Sequence, residues 1–325
     1  MNDYAVITRD LTKQFGTFVA VDRLNLTVKK GEIFGFLGPN GAGKSTVIRM
    51  LCGLLDPTLG DGWVLGYNLK KEPDKIKMEI GYMSQRFSLY EDLSVKENLN
   101  FYAGIYQLPV KQRAQRLKEI VALAGLEGRE EELVANLSGG WKQRLALGCA
   151  ILHQPAMVFL DEPTGSVDPA ARRQFWDIIY ELANQGTTVV VTTHYMDEAE
   201  HCDRIGFMYG GKMIAVGSPD EIKLSFWSGE LIELEADNPL HVLDRVRQYP
   251  RVKSANLHGS FVHAVVESAA TVISILASEL KEQGIEVTRI SPVSPSLEDV
   301  FVNLVERERQ AEDMARIAAK DGDKR

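Results

Sequence analysis

The chain reads as an α/β protein with a smaller α+β domain behind it. Three observations predict that class. Apolar runs within 33–37, 80–85, 157–163 and 187–194 lack the alternation of half-exposed strands and most give way to polar residues, as buried parallel strands do. Helical patterns separate most of them. From residue 230 the order becomes strand, helix, two strands, helix and strand within about 60 residues, the ferredoxin-like arrangement.

At 325 residues, 45% hydrophobic and 25% charged, the composition is ordinary for a globular protein and the length allows two domains. A net charge of −8 argues against nucleic acid as the main partner, although a local basic patch can hide inside an acidic total. No run approaches the roughly 18 apolar residues of a membrane span, and the first twenty residues carry no signal-peptide pattern. A place in the cytoplasm is therefore expected. Cys52, Cys149 and Cys202 are odd in number and widely spaced beside apolar or helical residues, which suits reduced core thiols rather than a metal or redox site.

Residues 4–9 and 19–28 read as strands, with Gly16 and Gly31 marking turns, so two or three antiparallel strands precede the first buried one. Phe15, in the phrase LTKQFG between them, offers a ring that could stack on a nucleobase; Phe18 is a rival, and a core or turn aromatic is the plain alternative. After the run at 33–37 comes GPNGAGKST, in which Gly38, Gly43, Lys44 and Ser45 fill G-x-x-x-x-G-K-[ST] ahead of a helical pattern from about Lys44. Glycines let the backbone close around an anion with its N–H groups pointing inward, and the helix start adds its dipole. Lys44 is expected to neutralise β- and γ-phosphate charge, and the Ser45 hydroxyl to hold Mg²⁺. A strand near 63–65 and a short helix at 75–78 lead to IGYMSQ, where Gln85 ends a strand on the edge at which parallel sheets bind ligands. Its amide can reach a metal ion or a water; an ordinary loop residue is the competing reading.

From Phe87 to about Ala150 no strand pattern appears, and a helical insertion is expected. Ser94 and Glu97 make a capping box, Pro109 stops that helix, and 111–124 reads as an amphipathic helix. LSGGWKQR at 137–144 opens another helix, with Ser138 as N-cap and Gly139 and Gly140 baring its first N–H groups. In MVFLDEP, Asp161 suits a water-mediated hold on Mg²⁺ and Glu162 the polarisation of an attacking water. Residues 170–184 read as a helix. The strand at 187–194 ends in His194, placed to touch a γ-phosphate, whereas His153, His201, His241, His258 and His263 have no comparable placement. A hairpin at 205–216 turns at Gly210 and Gly211, and 218–226 is a short helix. Beyond 230, strands are expected at LIELEA, 252–257, 261–267 and 285–290, and helices at 239–249 and 270–283. Ser296 and Asp299 resemble a capping box for a last helix from Leu297; the tail, six acidic and six basic residues from Glu306 to Arg325, reads as a fraying helix or disorder.

The ordered set GPNGAGKST, Gln85, LSGGWKQR, MVFLDEPTGSVDP and His194 resembles the ATP-binding subunit of ATP-binding cassette (ABC) transporters over residues 4 to about 225. The LSGG phrase is specific to that class among phosphate-loop ATPases. SPVSPSLEDVF at 291–301 looks like the appended domain of ABC-2-type exporter ATPases. The resemblance implies a RecA-like ABC ATPase core at 1–228, with an antiparallel β subdomain and a helical subdomain at about 87–150, then an accessory domain at 229–305 and a charged tail. It implies that Gly38, Pro39, Asn40, Gly41, Ala42, Gly43, Lys44, Ser45 and Thr46 cradle ATP and that Phe15 stacks on adenine. Gln85 would link Mg²⁺ and the attacking water to the membrane partner, Asp161 would serve Mg²⁺, Glu162 would be the general base and His194 the γ-phosphate contact. Ser138, Gly139 and Gly140 would bind the ATP of a second subunit, in a homodimer or heterodimer, and Asp168 would lie in the loop that crosses to it.

The function so implied is ATP-driven dimer closure powering export through a separate membrane permease, from the cytoplasmic face of the membrane. Trp141 stands where the family usually has Gln, and Ser166-Val167 where Gly-Leu or Ala-Leu is more frequent. The accessory domain also reads as a regulatory ligand-binding module or as dimer reinforcement. A soluble ABC ATPase acting on ribosomes or DNA is the alternative; such members usually carry two cassettes or long coiled coils, and the sequence contains neither. No N-K-x-D guanine-reading motif occurs, which argues against a GTPase.

Overall fold

The computed structural model describes residues 3–85, 88–165, 167–227 and 229–322. Phe87, where the helical insertion is expected to open, and Ser166, beside Val167, lie outside the described residues. Backbone packing divides the chain into two compact units, Met1–Pro219 and Asp220–Arg325.

The first unit opens with β1 (Tyr4–Phe15) and β2 (Phe18–Lys29), an antiparallel hairpin. β1 runs six residues beyond the expected end at 9. Asp10 (φ 46°) bulges out of it, the pairing register shifts between Thr8 and Leu11, and Asn25 Oδ1 accepts the Asp10 N–H at 3.0 Å. A bulge breaks the period-two pattern, so the sequence hides that LTKQF continues the strand. Next come β3 (Ile33–Leu37), α1 (Lys44–Leu51), β4 (Leu59–Val64), β5 (Tyr67–Asn68), α2 (Pro73–Glu79) and β6 (Ile80–Met83). β4 pairs with β1, giving a sheet of order β2-β1-β4-β5 whose third strand follows the glycine-rich loop.

Three helices follow: α3 (Val95–Ile105), α4 (Val110–Leu123) and α5 (Gly139–Ile151). The capping box of α3 is complete, with Glu97 N–H donating to Ser94 Oγ at 3.2 Å and Ser94 N–H to Glu97 Oε2 at 2.8 Å. Arg116 of α4 donates to the carbonyls of Ile151 and Leu152, both at 2.9 Å, and so satisfies the open C-terminus of α5. Then β7 (Met157–Asp161), α6 (Pro169–Asn184), β8 (Thr188–Thr193), α7 (Met196–Ala199), β9 (Arg204–Tyr209) and β10 (Lys212–Gly217) complete a second sheet. Its order is β10-β9-β3-β8-β7-β6, parallel except for β10. β3, β7 and β8 are buried along their whole length, which is why their runs show no alternation. Leu11 and Leu24 share one core with Phe34, Ile48, Met50 and Phe159, so the two sheets pack as one body. Cys52, Cys149 and Cys202 are buried free thiols, and burial pushes each thiol pKa up.

α8 (Pro219–Ser225) spans the division between the units. The second unit continues with β11 (Glu230–Glu235), α9 (Pro239–Val246), β12 (Val252–His258), β13 (Phe261–Val266), α10 (Ala269–Glu282), β14 (Arg289–Val293) and α11 (Leu297–Gly322). Its sheet is antiparallel, of order β12-β13-β11-β14, over a core that includes Ile232, Leu234, Val262 and Leu276. β14 starts later than the expected 285–290. Gly284 (φ 73°) ends α10 and the Ile285 N–H returns to the Leu280 carbonyl at 2.9 Å, so Ile285 packs as the helix's closing residue. Pairing begins at Arg289 and runs through Pro292, which is tolerable because β14 lies at the sheet edge. α9 likewise ends at Val246 rather than 249, and the charged tail continues as helix through Gly322.

His263 ties this sheet to the last helix. Its Nδ1 lies 2.7 Å from Asp299 Oδ1 and its Nε2 3.3 Å from Glu233 Oε2, while Asp299 Oδ2 accepts the Ser296 N–H at 2.9 Å in the expected capping box. The His258 ring stacks on it at 4.3 Å, with Glu298 Oε2 3.9 Å from His258 Nδ1. Burial opposes protonation of His263, but Asp299 and Glu233 outweigh it and raise the pKa above 6.5. A histidine pKa raised by folding contributes stability that is fully present below the unfolded value and is lost as pH rises through the folded one. The difference in unfolding free energy between the parent chain and His263→Gln, measured in urea, should therefore be largest near about pH 6 and shrink toward about pH 9. A pH-independent difference would assign the effect to packing alone.

Candidate active site

β3, β8, β7 and β6 are parallel neighbours, so the residues at or just after their C-terminal ends line one edge of the sheet. That edge collects the glycine-rich loop after β3, Gln85 after β6, Asp161 and Glu162 at the end of β7, and His194 after β8. The loop lies hard against its own unit. A Cβ on Gly38 (φ 156°) would sit 2.2 Å from the Met208 carbonyl oxygen, and one on Gly43 (φ 104°) 2.5 Å from that of Ala20. No other residue fits either place without moving backbone. α1 begins at Lys44, as the sequence predicts, so Lys44, Ser45 and Thr46 form its first turn behind Pro39, Asn40, Gly41 and Ala42.

Lys44 is 4% exposed. Its ammonium donates to the carbonyls of Gly38 (2.7 Å) and Pro39 (3.1 Å) and pairs with Glu162 Oε1 at 3.4 Å. Burial lowers its pKa, with Glu162 and Asp161 opposing the shift. Glu162 is the centre of the cluster. Its Oε2 accepts from Gln85 Nε2 at 3.0 Å and lies 3.6 Å from His194 Nδ1. Its backbone is left-handed (φ 48°), a conformation costing a non-glycine residue about 1–3 kcal/mol. Thr192 holds it there by accepting the Glu162 N–H on Oγ1 at 2.9 Å.

Asp161 is 1% exposed, and its Oδ1 accepts from Ser45 Oγ and Thr192 Oγ1, both at 2.8 Å. Its Oδ2 is buried without a hydrogen-bond partner. A buried carboxylate oxygen that wants a donor or a cation, beside a serine hydroxyl and near the Gln85 amide, is a set of hard oxygen donors suited to Mg²⁺. A cavity of about 600 Å³ opens against this cluster, lined by Asn40, Gln85, Glu162 and His194 and, from α5, Lys142 and Gln143.

The remaining candidates stand apart from that cluster. Phe15 and Phe18 pair at the end of the β1–β2 hairpin, 49% and 63% exposed, with Lys13 Nζ 5.1 Å over the Phe15 ring. Ser138 occupies the expected N-cap position of α5, but its hydroxyl makes no capping bond. Ser138 and Gly139 are exposed and Gly140 half-buried. The Trp141 indole meets two guanidiniums, that of Arg144 at 3.7 Å and that of Arg129 at 4.7 Å from the ring centroid. Asp168 caps α6, its Oδ1 accepting the N–H groups of Ala170 (3.0 Å) and Ala171 (2.9 Å).

The sequence profile of the ABC transporter family matches residues 21–165, and that of the ATP-binding protein DrrA1-3-like C-terminal domain matches residues 217–305. The linearmycin resistance ATP-binding protein LnrL of Bacillus subtilis (strain 168) is 34% identical over 302 residues, which are 92% of this chain and 97% of LnrL. The chain belongs to the ABC transporter ATP-binding subunits. The probable multidrug ABC transporter ATP-binding protein YbhF of Escherichia coli (strain K12) is 51% identical over 215 residues, 66% of this chain; the match spans only 37% of YbhF. Among solved structures, a dimeric ATP-binding cassette in a post-hydrolysis state, bound to ADP and Pi, superposes with a TM-score of 0.60 at 28% identity over 66% of this chain and 98% of that one. The ABC subunit therefore joins the family's α/β ATPase fold, antiparallel β subdomain included, to an α+β domain of DrrA1-3-like type.

Sequence reasoning passed over one residue that builds the site of this ABC subunit. Thr192 contacts both Asp161 and Glu162, and it is fully buried. The one signal was a pair of threonines closing an otherwise valine-rich buried strand, where a hydroxyl must find partners. Replacing Thr192 by Val should cost about 1–3 kcal/mol of stability by stranding buried polar groups. It should also lower ATP turnover, whereas Thr192→Ser keeps both; urea denaturation and phosphate release measure the two effects.

Proposed function

We propose that this ABC subunit hydrolyses ATP to power export through separate membrane permease subunits, by ATP-driven closure of a head-to-tail dimer. One observation carries the reading: the Glu162 carboxylate lies at once within 3.0 Å of Gln85, 3.4 Å of Lys44 and 3.6 Å of His194, beside the buried open oxygen of Asp161. In this reading the loop from Gly38 to Thr46 holds the phosphates through its N–H groups, and Lys44 leaves Glu162 to neutralise β- and γ-phosphate charge. Ser45, Gln85 and Asp161 hold Mg²⁺, which when bound neutralises developing charge on the phosphates. Glu162, freed from Lys44, takes a proton from the attacking water, and His194 donates to the γ-phosphate. Phe15 stacks on adenine.

The exposed start of α5 supports the dimer. Ser138 keeps an uncommitted hydroxyl, and Gly139 and Gly140 leave N–H groups open at the positive end of a 13-residue helix. These are donors for the ATP of a second copy or of a related subunit, and Asp168 lies in the loop that crosses to it. Each ATP then contacts both subunits only in the closed dimer, so hydrolysis removes what favours closure. We divide the chain into an ATPase domain at 1–228, with a helical subdomain at about 87–150, an accessory domain at 229–305 and a charged tail. The sheet order β12-β13-β11-β14 with two helices supports a ferredoxin-like accessory domain. Among the described residues no helix is long and apolar enough to cross a membrane. The reading places the chain at the cytoplasmic face of the membrane and assigns the crossing to the permease. The names of LnrL and YbhF, which speak of linearmycin resistance and multidrug transport, support a drug-like cargo.

Glu162→Gln should lower phosphate release by about a hundred- to ten-thousand-fold while preserving ATP-dependent dimerisation seen by size-exclusion chromatography. Undiminished hydrolysis would remove Glu162 from the role of base. Pull-down of the tagged chain from detergent-solubilised membranes should recover a multi-span membrane protein. Recovery of ribosomes or DNA instead would replace transport with the soluble alternative.

A further inference from the structure

Glu198, in the short helix α7, is 1% exposed. The partners of this buried carboxylate flank the site rather than form it. Oε1 accepts from the Thr164 hydroxyl, and Oε2 from the Thr193 hydroxyl at 2.6 Å. Arg172 Nε lies 3.3 Å from Oε1, close enough for ion pairing though not aligned as a hydrogen bond. Thr164 is two residues beyond Glu162, Thr193 immediately precedes His194, and Arg172 sits in the first turn of α6, the helix that Asp168 caps.

The same residues are tied a second way. The Arg172 guanidinium lies 4.3 Å over the Tyr195 ring and donates to Asp197 Oδ2 at 3.2 Å. Tyr195 packs its ring against His194 at 4.1 Å and donates its hydroxyl to the Gly165 carbonyl at 3.3 Å. Every segment that carries a reacting side chain on this flank is thus bonded, directly or through one residue, to Glu198. An apolar side chain would fill the same space at less desolvation cost, since a buried charged group seldom stabilises more than well-packed hydrophobic atoms. What an apolar side chain could not do is set the spacing of two hydroxyls and a guanidinium.

We propose that Glu198 is a positioning residue for ATP hydrolysis: a buried clamp that holds the turn after Glu162, the end of β8 before His194 and the start of α6 in one arrangement. The inference rests on the hydrolysis reading above. It makes His194 and the loop ending at Asp168 move as one piece, so a γ-phosphate sensed on one side of the site is registered in the loop that faces the second subunit. Glu198 itself touches neither phosphate nor water. Its removal acts through misplacement of Glu162 and His194, and a misplacement of about 1 Å is enough to cost about a hundredfold in rate.

The test is steady-state ATP turnover by the full chain, together with any membrane protein that co-purifies with it. Glu198→Gln and Thr164→Val should lower kcat by about ten- to a hundredfold with the KM for ATP within about twofold of the parent. Thr164→Ser, which keeps the hydroxyl, should restore kcat. Thr164→Val leaves the carboxylate and its arginine in place, so it reports on the clamp even where Glu198→Gln folds poorly; each variant is assayed well below its own thermal midpoint, because stranding the buried carboxylate oxygen also lowers stability. Parent-like kcat in Thr164→Val, or a Ser variant no better than the Val variant, would overturn the proposal while an active parent leaves the hydrolysis reading standing. A parent chain with no turnover would instead overturn the hydrolysis reading, and this inference with it.

Discussion

A lysine ammonium 4% exposed must have partners, because an unpaired charge in a protein interior is worth several kcal/mol of destabilisation. Lys44 finds them in the carbonyls of its own loop and in Glu162, a residue far along the chain. That pairing requires β3 and β7 to end at the same edge with β8 between them. At the same edge stand the left-handed turn at Glu162 and the buried hydroxyl of Thr192 that receives its N–H. Burial depresses the Lys44 pKa, and the Glu162 and Asp161 carboxylates oppose the shift. In the proposed mechanism a triphosphate replaces Glu162 as the anion beside Lys44, and the displaced carboxylate takes a proton from water.

The cluster is strong on one side and open on the other. Lys44, Gln85, Glu162 and His194 converge within hydrogen-bonding or ion-pair reach, whereas Ser138, Gly139 and Asp168 face outward or cap their own helices. An exposed helix start with an unused serine hydroxyl is a donor set in search of an anion. In the proposed dimer, half of a site in each subunit would make closure depend on ATP at both seams. Trp141, where the family usually has Gln, carries the guanidiniums of Arg129 and Arg144 against its ring in the first turn of α5.

Much of the fold was legible because it is local. The glycine-rich loop, the α3 capping box, the three buried strands and the Gly210-Gly211 hairpin are each written in a few consecutive residues. Misreadings fall where long-range pairing overrides the local pattern. Asp10 bulges because Asn25 from β2 completes its hydrogen bonds, and β1 therefore continues through a stretch that looks like a loop. β14 slides to Arg289–Val293 because the chain first spends Ile285 closing α10, and an edge strand then accepts Pro292. Nothing in the sequence placed His263 until the β13 register set it between Glu233 and Asp299.

By itself the sequence determined the family and named most of the groups that gather at one edge of the sheet. A G-x-x-x-x-G-K-[ST] loop binds phosphate through backbone geometry that only glycines permit, and carboxylate, amide and histidine at strand ends follow from the spacing of buried runs. Only the tertiary structure decided what holds those groups in place. Thr192, Arg172 and Glu198 lie in no motif, nothing in the MVFLDEPTGSVDP phrase singles out Thr164, and their contacts join residues up to 34 apart in the chain. The reason is physical: a loop's shape is set by the dihedral angles of its own residues, but a buried polar group is satisfied by whatever the packing of the sheet brings within 3 Å or so of it.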